Sequence, residues 1–233
     1  MKKNTTFIIG AIAIVFILLG ISLIFGDKEQ EKDYEEDLLN INYDVEGNIT
    51  SLDQYETDNP VVVMYVKNYG SIAMELYPDV APNTVNNFIS LVKSGFYDNN
   101  SFHRLMKDFV LQGGDPDGIG SGGPGYSIKG EFTSNGFENN LSHTKGIVSM
   151  ARSQENDSAG SQFFIVLEDS TFLDGQYAAF GKVIDGWDNI ERIESQEQVA
   201  DAQSGKLREN LTIEKALVDL KGKEYSEPGK VSE

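Results

Sequence analysis

The chain lacks cysteine altogether and has only two histidines among its 233 residues. The absence of cysteine excludes disulfide bonds, cysteine nucleophiles, thiolate zinc sites and lipid attachment through an N-terminal cysteine. Two histidines supply few of the ligands that a metal site needs. We therefore expect a protein that works without a metal or another cofactor.

Basic residues are also scarce. Lys and Arg number 19 against 37 Asp and Glu, which gives a formal net charge of −18 at pH 7. Such a polyanion is repelled by nucleic-acid phosphates and by anionic membrane surfaces, so we expect no nucleic-acid partner. The apolar fraction of 39% and the charged fraction of 24% are those of a globular protein and exclude a wholly disordered or fibrous chain.

One long apolar run, residues 7–25, carries no charge and follows Lys2 and Lys3. As a helix it would rise about 28 Å, close to the thickness of the hydrocarbon layer. The lysines predict a cytoplasmic N-terminus, with everything after the run outside the membrane. The alternative is a cleaved signal peptide, which would make the protein secreted. Its apolar region is usually only about 7–15 residues long, and residues 23–26 offer no good cleavage pair, so an uncleaved anchor is favoured.

Composition divides the chain into a cytoplasmic stub with the anchor or signal sequence (1–26), an acidic linker (27–58), a folded domain (59–221) and a polar tail (222–233). As a coil, the linker would reach about 30 Å and would hold the domain off the membrane. Docking of part of the linker onto the domain is left open. We expect the tail to be frayed.

The folded domain is predicted to consist of short strands and two helices. Residues 61–67 and 71–76 are predicted to pair as a hairpin around a turn at 68–70. A helix is predicted to begin at Pro82 and to end before Gly95, and a second helix to span 187–194. Further strand-like runs occupy 109–112, 146–151, 162–167, 178–183 and 211–220. Many short strands with few helices favour a mainly β, antiparallel sheet closed or nearly closed into a barrel that the helices cap.

Two glycine-rich or acidic motifs do not carry the chemistry they suggest. Gly118, Gly120 and Gly123 match the dinucleotide fingerprint, but Pro124 and Gly125 follow at once, so no helix can open there to meet a pyrophosphate. The acidic pair at 115 and 117 starts like a calcium loop but lacks the glutamate at its twelfth position.

A serine hydrolase is a further alternative. Ser142 and His143 are adjacent, and adjacent residues of a strand point to opposite faces, so they cannot form a nucleophile–base pair. Ser149 and Ser161 lack a nucleophile-elbow motif. A triad assembled from distant parts of the chain is left open.

Three separated stretches, 102–115, 149–165 and 172–183, resemble the cyclophilin family of peptidyl-prolyl cis/trans isomerases, over about residues 60–220. The resemblance implies a closed eight-stranded antiparallel β-barrel capped by two α-helices. It gives Arg104 the role of catalytic hydrogen-bond donor and turns His103 away into the packing. It also implies a proline pocket of Phe109, Met150, Phe164 and Leu173, a peptide groove with Gln112, Ala151, Arg152 and Gln162, and a rim of Phe172 and Tyr177.

The chemistry of these residue types agrees with the resemblance. Rotation about an X–Pro bond crosses a barrier of about 18–20 kcal/mol and breaks no covalent bond. In the twisted amide the prolyl nitrogen loses resonance and becomes a better acceptor. A fixed donor aimed at that nitrogen therefore favours the transition state over either planar state. Arg104 is such a donor because its guanidinium stays protonated.

Three positions depart from the usual pattern of the family. Arg152 stands where asparagine is frequent and could meet acidic residues of a client. Phe172 replaces a frequent tryptophan and has no indole N–H, so we expect weak binding of cyclosporin-type inhibitors. Tyr177 replaces a frequent histidine and removes a group that titrates near neutral pH.

We expect a membrane-tethered, extracytoplasmic isomerase that acts on proline-containing, unfolded exported proteins. The rival from another class is an adaptor or holdase that binds proline peptides in the same groove without turnover. The presence of Arg104, Phe109 and Gln112 argues against the rival, because a pure binder would not need the donor.

Overall fold

The apolar run that begins at residue 61 forms one strand of a barrel in the computed structural model. The structure describes residues 42–43, 49–51 and 55–231. In chain order the strands are β1 (Asn42–Tyr43), β2 (Ile49–Ser51), β3 (Val61–Val66), β4 (Gly70–Leu76), β5 (Asn100–Met106), β6 (Val110–Gly113), β7 (Ser127–Ile128), β8 (Ile147–Met150), β9 (Phe163–Val166), β10 (Ala179–Asp185), β11 (Val199–Asp201), β12 (Lys206–Asp219) and β13 (Lys230–Val231).

The long strand β12 closes the barrel. Its second half pairs with β3, with Ile213 opposite Val66, and its first half pairs with β5, with Leu211 opposite Phe102. The circuit β12-β3-β4-β10-β8-β9-β6-β5 returns to β12, and every pairing in it is antiparallel. The predicted closed eight-stranded antiparallel barrel is therefore confirmed, with β11 added at the outside of β12.

Two α-helices pack on the barrel, as predicted. Helix α1 (Pro82–Lys93) starts with proline, whose missing N–H would have no helical partner in the first turn anyway. Helix α2 (Trp187–Gln196) follows Gly186, which adopts a left-handed conformation with φ of 79° and so favours glycine. Both helices turn their apolar faces to the barrel core. Among the described residues no helix is long and apolar enough to cross a membrane, and the predicted anchor at 7–25 lies outside them.

The barrel interior is a packed aromatic core rather than a pore. Phe163 is fully buried and meets Phe88, Tyr97 and Phe102 edge-on, with ring centroids 5.2, 5.7 and 5.7 Å away. Edge-to-face contacts of this kind are favourable beyond the burial of area. Because the interior is filled, a binding site has to lie on the outside.

Strand alternation creates a second hydrophobic cluster outside the barrel. Along β9, Phe163 and Ile165 point into the interior core, whereas Phe164 and Val166 point outward. We call the group to which they belong the outer apolar cluster. Its buried members are Val110, Ile147, Phe164, Val166, Leu173 and Ala179.

The prediction of a frayed tail is wrong. Residues 222–231 are not frayed, because β13 pairs antiparallel with β7 and Pro228 is buried. Asn83 of α1 donates to the carbonyl of Gly229 at 3.0 Å and accepts its N–H at 2.7 Å. The end of the linker also touches the domain, since the Tyr55 hydroxyl donates to Asp185 at 2.8 Å.

Candidate active site

Four neighbouring strands align the central residues of the site. Arg104 on β5 lies opposite Gln112 on β6, Gln112 lies opposite Phe164 on β9, and Phe164 lies opposite Ser149 on β8. Neighbouring strands are about 4.8 Å apart, so the backbones of Arg104 and Phe164 lie about 10 Å apart in one row of the sheet. The residues of this row are far apart in the sequence, and the register of the sheet brings them together.

Three groups hold the guanidinium of Arg104. Its Nε donates to the carbonyl of Ser204 at 2.8 Å, Nη1 donates to Oε1 of Gln112 at 2.9 Å, and Nη2 contacts the sulfur of Met106 at 2.6 Å. Partial burial lowers the pKa of Arg104 from its ordinary value. That value is so high that the side chain stays protonated, and the site therefore contains a fixed, charged donor.

A chain of side-chain hydrogen bonds continues from Arg104 to the glycine-rich loop. Nε2 of Gln112 donates to Oε1 of Gln162 at 3.0 Å, and Nε2 of Gln162 donates to the carbonyl of Gly122 at 2.9 Å. Both predicted glutamines thus lie beside Arg104. They therefore line the surface next to the donor.

The glycine-rich loop is wrapped around a buried carboxylate. Asp115 accepts the N–H groups of Asp117, Ile119 and Gly120 at 2.8, 3.0 and 2.5 Å. Burial raises the pKa of Asp115, but these backbone N–H groups lower it by more, so that it lies below its ordinary value. A Cβ on Gly122 would collide with the carboxylates of Asp115 and Asp117, which explains glycine there. The loop continues into β7, not into a helix, so the dinucleotide fingerprint lacks its structural context.

The predicted apolar pocket is the surface of the outer apolar cluster. Phe164 is 5% exposed and Leu173 is 8% exposed, and the partly buried Phe109 and Ala151 pack against the same cluster. Sequence reasoning missed Val110, which is 2% exposed and belongs to the cluster. Strand alternation could have found it, because Val110 lies two residues before Gln112 on β6 and therefore faces the same side.

Met150 corrects a prediction. It was expected in the proline pocket, but it is 1% exposed and packs in the interior core of the barrel. The reason is again alternation: Ile147 on β8 belongs to the outer apolar cluster, so Val148 and Met150 point inward. His103 is buried, 5% exposed, while Arg104 beside it reaches the surface, as predicted.

Aromatic side chains border the predicted apolar pocket, which we call the recess. Phe172 is 67% exposed and stacks on Phe109 with centroids 5.7 Å apart. Tyr177 meets Phe164 edge-on at 5.7 Å. The structure therefore places both predicted rim residues on pocket residues.

Arg152 is occupied within the protein. Its guanidinium carbon lies 5.0 Å from the ring centroid of Phe132 and 4.9 Å from that of Tyr177. Its Nε donates to the carbonyl of Gln176 at 3.0 Å, and Nη1 donates to that of Ser153 at 2.9 Å. This arrangement gives Arg152 a structural task at the rim, which weakens the expectation that it meets acidic client residues.

Comparison with known proteins gives one consistent result. The family model described as cyclophilin type peptidyl-prolyl cis-trans isomerase/CLD matches residues 61–218. The chain is 49% identical over 125 residues to peptidyl-prolyl cis-trans isomerase-like 1 of Rhizopus delemar, which is 53% of this chain and 74% of that protein. It is 50% identical over 115 residues to peptidyl-prolyl cis-trans isomerase B of Bacillus subtilis, which is 49% of this chain and 77% of that protein.

A solved structure agrees with these sequence matches. It is the crystal structure of a cyclophilin-type peptidyl-prolyl cis-trans isomerase of Cryptosporidium parvum in the presence of the dipeptide Ala-Pro. The match has a TM-score of 0.60 and 33% sequence identity, and it covers 68% of this chain and 98% of that chain.

Proposed function

The chain belongs to the family of cyclophilin-type peptidyl-prolyl cis-trans isomerases, and from this premise we propose that Arg104 and the outer apolar cluster carry out its isomerase reaction without covalent chemistry. The single observation that carries the proposal is the row Arg104–Gln112–Phe164 across three neighbouring strands. It sets a fixed cation beside an apolar recess, which are the two elements that rotation of a prolyl amide requires.

Catalysis follows from the change in the prolyl nitrogen during rotation. In either planar isomer the nitrogen lone pair is conjugated with the carbonyl, and twisting removes that conjugation. A hydrogen bond from Arg104 to this nitrogen then forms more strongly in the twisted state than in the planar states, and the barrier falls. A 10⁵-fold acceleration needs about 7 kcal/mol.

Preorganisation makes one donor effective. The contacts from Ser204, Gln112 and Met106 fix the guanidinium before the substrate arrives, so little reorganisation is needed during the reaction. The recess of Val110, Phe164 and Leu173 would seat the pyrrolidine ring and exclude water from one side of the amide. A lower local dielectric strengthens the hydrogen bond from the cation.

The test compares wild-type protein with Arg104→Ala in an assay of cis-to-trans conversion of a short Ala-Pro peptide. Arg208→Ala is the matched control, because Arg208 is exposed on β12. We expect kcat/KM to fall by orders of magnitude for Arg104→Ala alone. Equal rates for wild type and Arg104→Ala, with both proteins folded, would refute the assignment.

We further propose that the domain works outside the cytoplasmic membrane on proline-containing segments of exported, unfolded proteins. The support is the uncharged run at 7–25 behind Lys2 and Lys3, followed by the acidic linker. Intact-mass analysis of the membrane and shed fractions tests this. A mass that includes residues 1–26 in the membrane fraction supports the anchor, and a chain that begins after residue 26 supports a cleaved signal instead.

We propose that cyclosporin-type inhibitors bind this isomerase weakly. Phe172 at the rim offers an exposed ring but no N–H donor. The Phe172→Trp variant supplies the missing indole N–H and is the matched comparison. Titration of the drug against activity should show stronger inhibition of the variant, and equal inhibition of the two proteins would contradict the proposal.

A further inference from the structure

A buried hydrogen-bonded chain lies behind the recess. Nδ1 of His143 bonds Oδ1 of Asp174 at 2.8 Å, and Nε2 of His143 bonds the hydroxyl of Ser149 at 2.9 Å. Asp174 also accepts the hydroxyl of Ser142 at 2.6 Å and the backbone N–H of His143 at 2.7 Å. We call His143, Asp174 and Ser149 the buried relay. Ser142 and His143 thus bond to one carboxylate and not to each other.

The buried relay has the Asp–His–Ser hydrogen bonds of a hydrolase triad, but a substrate cannot reach it. His143 and Ser149 are both 0% exposed, so the serine hydroxyl cannot approach a substrate carbonyl. Nucleophilic catalysis requires that contact. The relay therefore has to act within the protein.

Its protonation state is set by the donors and acceptors. A carboxylate only accepts, so Nδ1 of His143 carries the proton and Nε2 accepts the hydroxyl of Ser149. Burial lowers the pKa of His143 by more than Asp174 raises it. Burial raises the pKa of Asp174, but hydrogen bonds from Ser142 and His143 lower it below its ordinary value. At neutral pH the relay consists of a neutral imidazole between a carboxylate and a hydroxyl.

The members of the relay adjoin two walls of the recess, the Phe164 ring and Leu173. The ring of His143 stacks on Phe164, with centroids 6.2 Å apart and planes 19° apart. Asp174 directly follows Leu173 in the chain. Ser149 lies opposite Phe164 in the register of β8 and β9. One hydrogen-bonded unit thus fixes strand β8, the Phe164 ring and the segment that ends in Leu173.

We propose that the buried relay positions the proline recess, with His143 and Asp174 as positioning residues that hold the Phe164 ring and Leu173 at the spacing that a pyrrolidine ring needs. This inference rests on the proposed function of the recess. In this inference Arg104 acts on rotation of the prolyl bond, whereas the relay acts on binding of the pyrrolidine ring. Loss of the relay should therefore weaken peptide binding more than it slows rotation of the bound peptide.

The test uses Asp174→Asn, which keeps the size of the side chain but removes the charge that orients His143. Asp169→Asn is the matched control, because Asp169 accepts a backbone N–H, that of Lys145, outside the relay. Kd for an Ala-Pro peptide and the cis–trans exchange rate of the bound peptide are measured by NMR. We expect Kd to rise about five- to tenfold, the effect of one lost hydrogen bond, and the bound exchange rate to change less than about threefold.

A spectroscopic readout tests the geometry independently. The nitrogen shifts of His143 in the wild type should show a proton on Nδ1, and they should change in Asp174→Asn but not in Asp169→Asn. If Asp174→Asn does not fold, Ser142→Ala removes only one half-buried donor to the same carboxylate and should raise Kd about two- to threefold.

The outcomes separate this inference from the proposed function. Unchanged Kd in a folded Asp174→Asn, or in Ser142→Ala where Asp174→Asn does not fold, overturns the positioning role, and so does a loss confined to the bound exchange rate. If wild type and Arg104→Ala isomerise the peptide equally, the proposed function fails instead. If wild type is active, Arg104→Ala is not, and Asp174→Asn binds as wild type does, only the relay inference is wrong.

Discussion

Gln112→Met tests whether the orientation of Arg104 matters as well as its charge. The change keeps the approximate length of the side chain but removes the acceptor that lies 2.9 Å from Nη1 of Arg104. It also removes the donor to Gln162 at 3.0 Å. The guanidinium keeps its contacts with Ser204 and Met106, so the cation remains in the site with one anchor fewer.

The expected loss can be estimated from the bond that disappears. A hydrogen bond to a charged group contributes about 1.5–3 kcal/mol. Because two of the three anchors remain, we expect the lower end of that range, which corresponds to about a tenfold fall in kcat/KM. The free energy of unfolding should change by no more than about 2 kcal/mol, since both partners can reach water.

The assay is cis-to-trans conversion of an Ala-Pro peptide, with urea unfolding to confirm the fold. Gln162→Met is the control, because it removes the bonds of Gln162 to Gln112 and to Gly122 and leaves the bond between Gln112 and Arg104 intact. It should lower kcat/KM by only about two- to fivefold, because both lost bonds are neutral and neither touches Arg104. Wild-type activity in Gln112→Met, or a larger loss in Gln162→Met, would refute the view that Gln112 orients the donor.

Three further predictions concern the scaffold. Phe163→Ala removes a fully buried ring from the aromatic core and should cost about 3–5 kcal/mol in urea unfolding; a loss below about 1 kcal/mol would contradict the packing described. Deletion of residues 222–233 removes the β13–β7 pairing and both bonds between Asn83 and Gly229. It should lower the free energy of unfolding by about 2 kcal/mol and leave kcat/KM within about twofold, whereas unchanged stability would mean that the tail adds nothing. The lowered pKa of Asp115 predicts stability that is present above about pH 3.9, the usual pKa of aspartate, and is lost as the pH falls through the lowered folded-state pKa. Asp115→Asn should therefore be less stable at pH 7 and show a weaker pH dependence below about pH 4; the same acid profile as wild type would rule out this role of the carboxylate.

Strands with a clear apolar pattern could be predicted from the sequence, and strands with a mixed pattern could not. The hairpin of β3 and β4 stands out because β3 is apolar on both faces. Strand β5 was missed because it mixes polar and apolar residues and its register shifts between Phe102 and Arg104. Strand β12 begins at Lys206, earlier than the predicted residue 211. Its first residues are polar and show no strand pattern in the sequence, and they become part of the strand by pairing with β5.

The site shows a similar division. The resemblance to the family located Arg104 and Phe164, but it could not supply the contacts that fix Arg104, because Ser204 is 100 residues away in the chain. The alternation of side chains along β8 and β6 places Met150 inside the barrel and Val110 outside it, and this pattern is readable from the sequence. The partners of His143 lie 6 and 31 residues away, and only the folded sheet brings them to one ring.

The central claim is that the guanidinium of Arg104 acts on the bond while it rotates and contributes little to binding the planar peptide. The most direct measurement is exchange NMR on an Ala-Pro peptide bound at saturation to wild type and to Arg104→Ala. The account predicts that the bound cis–trans exchange rate falls about 100- to 1,000-fold, the usual effect of losing one preorganised donor, while Kd stays within about threefold. An unchanged bound exchange rate together with a large increase in Kd would contradict it.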